Sequence, residues 1–194
     1  MRFRVLAVVA ALAGVAGAVA LIVSVAALGH PWTSGYVSEA GVGPRSGAYR
    51  LGILALSVAL LLLGGAVQRL IAGGLLVAAG AFGTVSAAVT CTPGCPLPPY
   101  QHSTAQDLVH ATASCLSVGL TALAMAAIGT RASRWMFAIT AALLAALGIT
   151  LLAIGRSTTT AVLERLVLTV LVAWAVATAV GIAARARPPG SRDG

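Results

Sequence analysis

The residues able to do chemistry gather in one stretch, Cys91 to His110, which reads CTPGCPLPPYQHSTAQDLVH. It contains Cys91 and Cys95, His102 and His110, four prolines and Asp107. The cysteines bracket Thr-Pro-Gly, and Pro93-Gly94 suits the two central positions of a type II turn, which would fold the chain back and bring the sulfurs together. In an oxidising compartment the pair can form a disulfide, contributing about 2 kcal/mol on the chain-entropy model. Free thiols and metal ligation stay open as alternatives, but C-x-x-x-C alone is a weak metal signature, so no metal and no cofactor is assigned. Pro96, Pro98 and Pro99 stiffen the rest of the stretch toward polyproline geometry, which suits a rigid lid, a partner-binding arm or a plain spacer.

Next comes Ser-Thr-Ala-Gln-Asp-Leu-Val-His. Ser103 with Gln106 reads as a capping box that starts a helix near Thr104 and puts Asp107 in its first turn, where the macrodipole favours negative charge. Asp107, His110, Ser114, Ser117 and Thr121 follow at spacings of three and four, so they share one helix face. A polar stripe of this kind turns toward protein or water rather than lipid. His110 can serve there as a neutral hydrogen-bonded core residue, a proton carrier or pH switch, or a metal ligand or general base, with Asp107 one turn away to orient its ring. Cys115, on the same helix, reads as a small buried packing residue.

The elements that hold these residues are hydrocarbon. Of 194 residues, 59% are hydrophobic and 8% charged, against about 25% charged in a soluble domain; mean hydropathy is +1.01. Bilayer hydrocarbon about 30 Å thick requires roughly 20 apolar residues per helix, and runs of that length recur along the chain. The reading is an all-α polytopic membrane protein with a single transmembrane domain over 1–184, its six spans at about 5–28, 51–67, 70–90, 108–128, 135–154 and 162–183. Residues 185–194 read as a disordered cytoplasmic tail. The first run is longer than the apolar region of a cleaved signal peptide, about 7 to 15 residues, and is read as a retained helix. The forty apolar residues from Leu51 to Thr90, broken only by Gln68 and Arg69, would make one helix about 60 Å long, twice the membrane, and so form a hairpin.

The net charge of +8 comes from twelve arginines and no lysine against Glu39, Asp107, Glu164 and Asp193. Scattered singly between apolar runs, it is the pattern of orientation signals and excludes a nucleic-acid partner. The absence of Lys beside abundant Ala, Gly, Val and Arg points to a GC-rich bacterial genome. With the N-terminus inside, the inner segments hold Arg2, Arg4, Arg69, Arg131, Arg134, Arg185, Arg187 and Arg192, against Arg45, Arg50, Arg156 and Arg165 outside, which favours N-in and C-in across the cell membrane. Trp32, Tyr36, Tyr49 and Tyr100 would then anchor the outer interface, and Phe3, Trp135 and Phe137 the inner one. All three histidines, the cysteine pair and every acid but Asp193 fall outside; no phosphate-binding glycine motif is present.

Charges at the ends of spans generally pair. The expected outer polar cluster therefore joins Glu39, Asp107 and Glu164 with some of Arg50, Arg165 and His110; independent snorkelling of the long side chains is the alternative. The pattern resembles the family catalogued as domain of unknown function 998, small proteins of about six predicted spans. The likeness rests on Ser38-Glu39 after the first span, Arg50 opening the second, the CTPGCPLPP loop, Asp107-x-x-His110, and Glu164-Arg165 opening the last. It covers roughly residues 8–183, and implies an integral membrane protein of that architecture with no assigned activity.

Three functions follow from these residues. The first is a non-enzymatic bundle that binds a lipid or a protein partner, a second copy included, through its outer face. The second is a small-solute or ion-coupled transporter, although the two halves share no matching sequence and no ionisable residue reaches mid-membrane. The third is an outward-facing hydrolase using His110 and Asp107 as catalytic candidates, in one version with a metal completed by His102, His30 or Glu39.

Overall fold

A computed structural model describes residues 1–29 and 32–185. His30 and the tail beyond Arg185, with Arg187, Arg192 and Asp193, lie outside the described residues. The described chain is all-helical: α1 (Arg2–Ala26), a 3₁₀ turn (Val37–Gly41), α2 (Ser46–Ala66), α3 (Leu70–Ala88), α4 (Ala105–Ile128), α5 (Arg131–Ile154) and α6 (Thr158–Arg185). Each of the six long helices is long and apolar enough to cross a bilayer, which makes this a multi-pass membrane protein.

Several helices begin before their apolar runs, because hydropathy marks where lipid begins while capping decides where the helix begins. Thr130 accepts from Ser133 N–H to open α5 at Arg131, and Ser157 and Thr160 exchange side-chain-to-backbone bonds around the start of α6. The start of α4 corrects the expected box by one residue. Thr104, not Ser103, is the N-cap, and its partner is Asp107, whose carboxylate accepts from Thr104 N–H at 2.9 Å while Asp107 N–H donates back to Thr104 Oγ1. A carboxylate is the stronger acceptor for that position. Ser103 instead donates to the Pro96 carbonyl, and Gln106 to that of Thr90.

Helices α1, α2, α3 and α4 pack in sequence, and α6 closes on α1. Glycines permit the close crossings. A Cβ at Gly64 would stand 2.8 Å from the Gly73 carbonyl oxygen, and one at Gly17 equally close to that of Gly52. The long connections, with the 37–41 turn and the Cys91 loop, meet at one end of the bundle, here the loop end; Met1 and Arg185 lie at the other, terminal end. A core of Leu63, Leu76, Met125, Leu171 and Trp174 fills the bundle toward the terminal end. There Trp174 Nε1 donates to Ser133 Oγ, holding α5 to α6. Helix α5 is otherwise peripheral: it buries only Ser133 and Thr140, and nothing from Ala141 to Ile154 is buried.

Candidate functional site

At the loop end the chain builds a roof. Cys95 N–H donates to Thr92 O at 2.9 Å and Gly94 has φ +85°, the type II geometry that Pro93-Gly94 favours. Cys91 and Cys95 face each other across this turn with Cα atoms 5.1 Å apart, a separation that a disulfide spans, and both are buried. Asp107 ties the roof to α4: besides Thr104, it accepts from Thr92 N–H at 2.7 Å and from Thr92 Oγ1. Arg156, in the turn between α5 and α6, clasps the other side. It pairs with Glu39, donates to the Gly94 carbonyl, and lies over the Tyr36 ring with its guanidinium carbon 5.6 Å from the centroid. Tyr100 OH adds a bond to the Leu152 carbonyl.

The six residues read as an outer cluster have other partners. Glu39 accepts from Tyr36 N–H and pairs with Arg156; Glu164 accepts from Val37 N–H at 2.9 Å. Arg165 donates to the carbonyls of Ser34, Gly35 and Ala161, and Arg50 to Thr90 Oγ1. Among the described residues the one ion pair is Arg156–Glu39. Sequence reasoning missed Arg156 as a partner; its signal is a lone cation in a three-residue turn at the same end as the acids. Tyr36 and Tyr49, expected as interfacial anchors, are buried, and burial pushes the Tyr36 phenol above its ordinary value. Cys115, expected to be buried, is exposed on α4.

His110 is 4% exposed. Its Nδ1 lies 2.8 Å from the Val89 carbonyl oxygen and 3.1 Å from that of Ser86, at the C-terminus of α3. Both oxygens can only accept, so Nδ1 carries the proton and satisfies carbonyls that a helix end leaves without partners. Ser86 Oγ, 3.3 Å from the same nitrogen, is bonded to Ser114 Oγ. In the neutral ring, Nε2 is then a lone-pair acceptor, and no hydrogen bond to it is found among the described residues. Asp107 does not orient this ring, because its oxygens are taken by Thr92 and Thr104. His102 is exposed on the loop, and no group of three or more His, Cys, Asp or Glu side chains positioned to hold a metal occurs among the described residues.

Beneath the roof lies a chamber of about 340 Å³. Cys91, Cys95, Pro96 and Leu97 cover it, Ala10, Gly14 and Leu63 form its far end, and Leu144, Leu147 and Leu151 of α5 make one wall. The α4 stripe of Asp107, His110, Ser114, Ser117 and Thr121 lines it throughout, so the chamber extends about 20 Å at 1.5 Å per residue. Glu164 joins Asp107 and His110 at the loop-end half; the rest is almost entirely hydrocarbon. The volume lies within the range of small-molecule sites, about 300–1,000 Å³, but this space is long and narrow.

Fold and chamber together define a class: a six-helix, multi-pass membrane protein with a roofed interior cavity that is polar at one end. Within that class the chain belongs to the family described as Protein of unknown function (DUF998), whose model matches residues 4–181. No curated protein and no solved structure matches the chain.

Proposed function

We propose that the protein binds one single-chain amphiphile inside the bundle, with the hydrocarbon among α2, α4, α5 and α6 and the polar end beneath the Cys91 loop, and that the loop end faces outward. The observation that carries this reading is the chamber: a narrow space about 20 Å long, with Glu164, Asp107 and His110 in its loop-end half and a wall that is mostly hydrocarbon beyond them. A soluble polar substrate would leave most of that wall without partners, whereas an alkyl chain matches it along its length. The loop-end half of α5, with no buried residue, supports lateral access from lipid.

Orientation draws support from the arginines. Among the described residues Arg2, Arg4, Arg69, Arg131, Arg134 and Arg185 lie toward the terminal end, against Arg45, Arg50, Arg156 and Arg165 toward the loop end. The larger number of arginines favours a cytoplasmic terminal end, and Arg156 at the loop end is already paired with Glu39. A hydrolytic dyad draws no support from His110 and Asp107, since they share a chamber but no hydrogen bond.

Native mass spectrometry of protein extracted from its own membrane in mild detergent tests the reading. One amphiphile per chain is expected, and Val118→Trp, which puts an indole into the chamber, is expected to lose it while unfolding at a similar temperature. Equal occupancy in the variant, or no bound molecule in the native chain, overturns it.

A further inference from the structure

This chain carries twelve arginines and four acids, yet its chamber inverts that balance. The titratable side chains lining it are Tyr36, Tyr49, Asp107, His110, Cys115 and Glu164; no arginine is among them. The guanidinium groups nearest the roof are turned into backbone and loop oxygens: Arg165 toward Ser34 and Gly35, Arg156 toward Glu39 and Gly94, Arg50 toward Thr90. Arg165, next to Glu164, still acts on that carboxylate through its charge and keeps a buried Nε–H without a partner among the described residues, but no guanidinium lines the cavity itself.

Two acceptors stand at the loop-end half of the cavity, beside the phenols of Tyr36 and Tyr49 and the α4 hydroxyls, which donate as well as accept. Among the described residues Glu164 accepts one hydrogen bond, from Val37 N–H to Oε2, which leaves Oε1 to the chamber. His110 is more than nine-tenths buried, lines the same space, and has its proton committed on Nδ1 to the end of α3, so that its lone pair at Nε2 has no protein donor. An unpaired acceptor and a carboxylate in an apolar enclosure both call for donors, and a carboxylate there favours a positive one. Placing a phosphate or carboxylate head against them would bring like charges together in a space of low dielectric.

We infer that the chamber selects amphiphiles whose head is a hydrogen-bond-donating cation, a long-chain primary or secondary amine, held by Glu164 and His110 Nε2, and that it rejects anionic lipid heads. The inference rests on the proposed amphiphile binding and adds the chemical class of the ligand. Head-group selection is a separate property from chain binding, and the two can fail separately.

The test uses the full chain in a non-ionic detergent at neutral pH, with tritiated hexadecylamine, hexadecanol and hexadecanoate as probes at equal mole fraction in the micelle, read by scintillation proximity. Hexadecylamine is expected to bind about tenfold or more tighter than hexadecanol, the ratio that a charge-assisted hydrogen bond gives over a neutral one, and hexadecanoate at least about tenfold weaker than the alcohol. Glu164→Gln is expected to bring amine and alcohol within about twofold of each other, and His110→Phe to weaken both. Binding of all three probes with equal affinity, tightest binding of hexadecanoate, or an amine preference that survives Glu164→Gln overturns the inference and leaves amphiphile binding standing. No binding of any probe overturns both. If Glu164→Gln does not accumulate as folded protein, the ranking on the native chain decides.

Discussion

Arg156 and Glu39, separated by most of the chain, form an ion pair that joins the α5–α6 turn to the 37–41 turn at the loop end of the bundle. Arg156 also holds the Gly94 carbonyl, so one guanidinium connects three segments of the roof. Its side chain is 39% exposed, which screens the pair and keeps its contribution to about 1 kcal/mol. Arg156→Gln should lower the unfolding temperature by about 2–4 °C, as judged by differential scanning fluorimetry. Unchanged midpoints in both Arg156→Gln and Glu39→Gln would show that the roof does not depend on the clasp.

Asp107 is a structural residue of the roof. Its carboxylate accepts from the backbone N–H and hydroxyl groups of both Thr92 and Thr104, so Asp107→Ala removes an N-terminal capping partner and a loop tether together. The expected loss is about 2–4 kcal/mol, against less than about 1 kcal/mol for Ser103→Ala, which removes one part-buried bond to the Pro96 carbonyl. Denaturant titration of the two variants ranks them; equal destabilisation would return the cap to Ser103.

The cysteines should divide two to one. Maleimide labelling of the denatured, unreduced protein is expected to count a single thiol, Cys115, and labelling after reduction all three. Three thiols without reductant would mean that Cys91 and Cys95 are unpaired. Where they are bonded, reduction should lower stability by about 2 kcal/mol.

Glycine substitutions should split by what their new methyl group meets. Gly64→Ala pushes a Cβ to 2.8 Å from the Gly73 carbonyl oxygen, and overpacking of this kind costs about 1–3 kcal/mol. Gly148→Ala on α5 meets nothing within 4 Å and should be neutral or stabilising by up to about 1 kcal/mol through helix propensity. Thermal midpoints in the reverse order would contradict the α2–α3 crossing.

Orientation is accessible by labelling intact cells with a membrane-impermeant maleimide in a Cys115→Ala background. A cysteine replacing Gln101, exposed on the Cys91 loop, should react from outside, and one replacing Gln68, in the α2–α3 turn, only after permeabilisation. The opposite pattern inverts the assignment of the loop end.

Helices, their number and the alignment of the α4 stripe were legible in the sequence because each depends on residues close together along the chain. Asp107, His110, Ser114, Ser117 and Thr121 share a face through helical repeat alone, and that face does line the cavity. The register of the cap was misread by one residue because Thr104 and Ser103 are chemically alike, and the choice falls to Asp107, which also has to reach Thr92. The partners of the charged groups were beyond the sequence. Glu39 meets Arg156 and Glu164 meets Val37 N–H only when the connections fold over the bundle end, and backbone donors leave no mark in residue type. The free face of His110 was hidden for the same reason: its tautomer is set by the carbonyls of Ser86 and Val89, on another helix. Local hydropathy and spacing thus determined that the chain crosses a membrane and which side chains share a helix face. Tertiary packing alone decided that α5 stands far enough from α4 and α6 to leave a chamber, because empty space is a property of how helices meet and of no single segment.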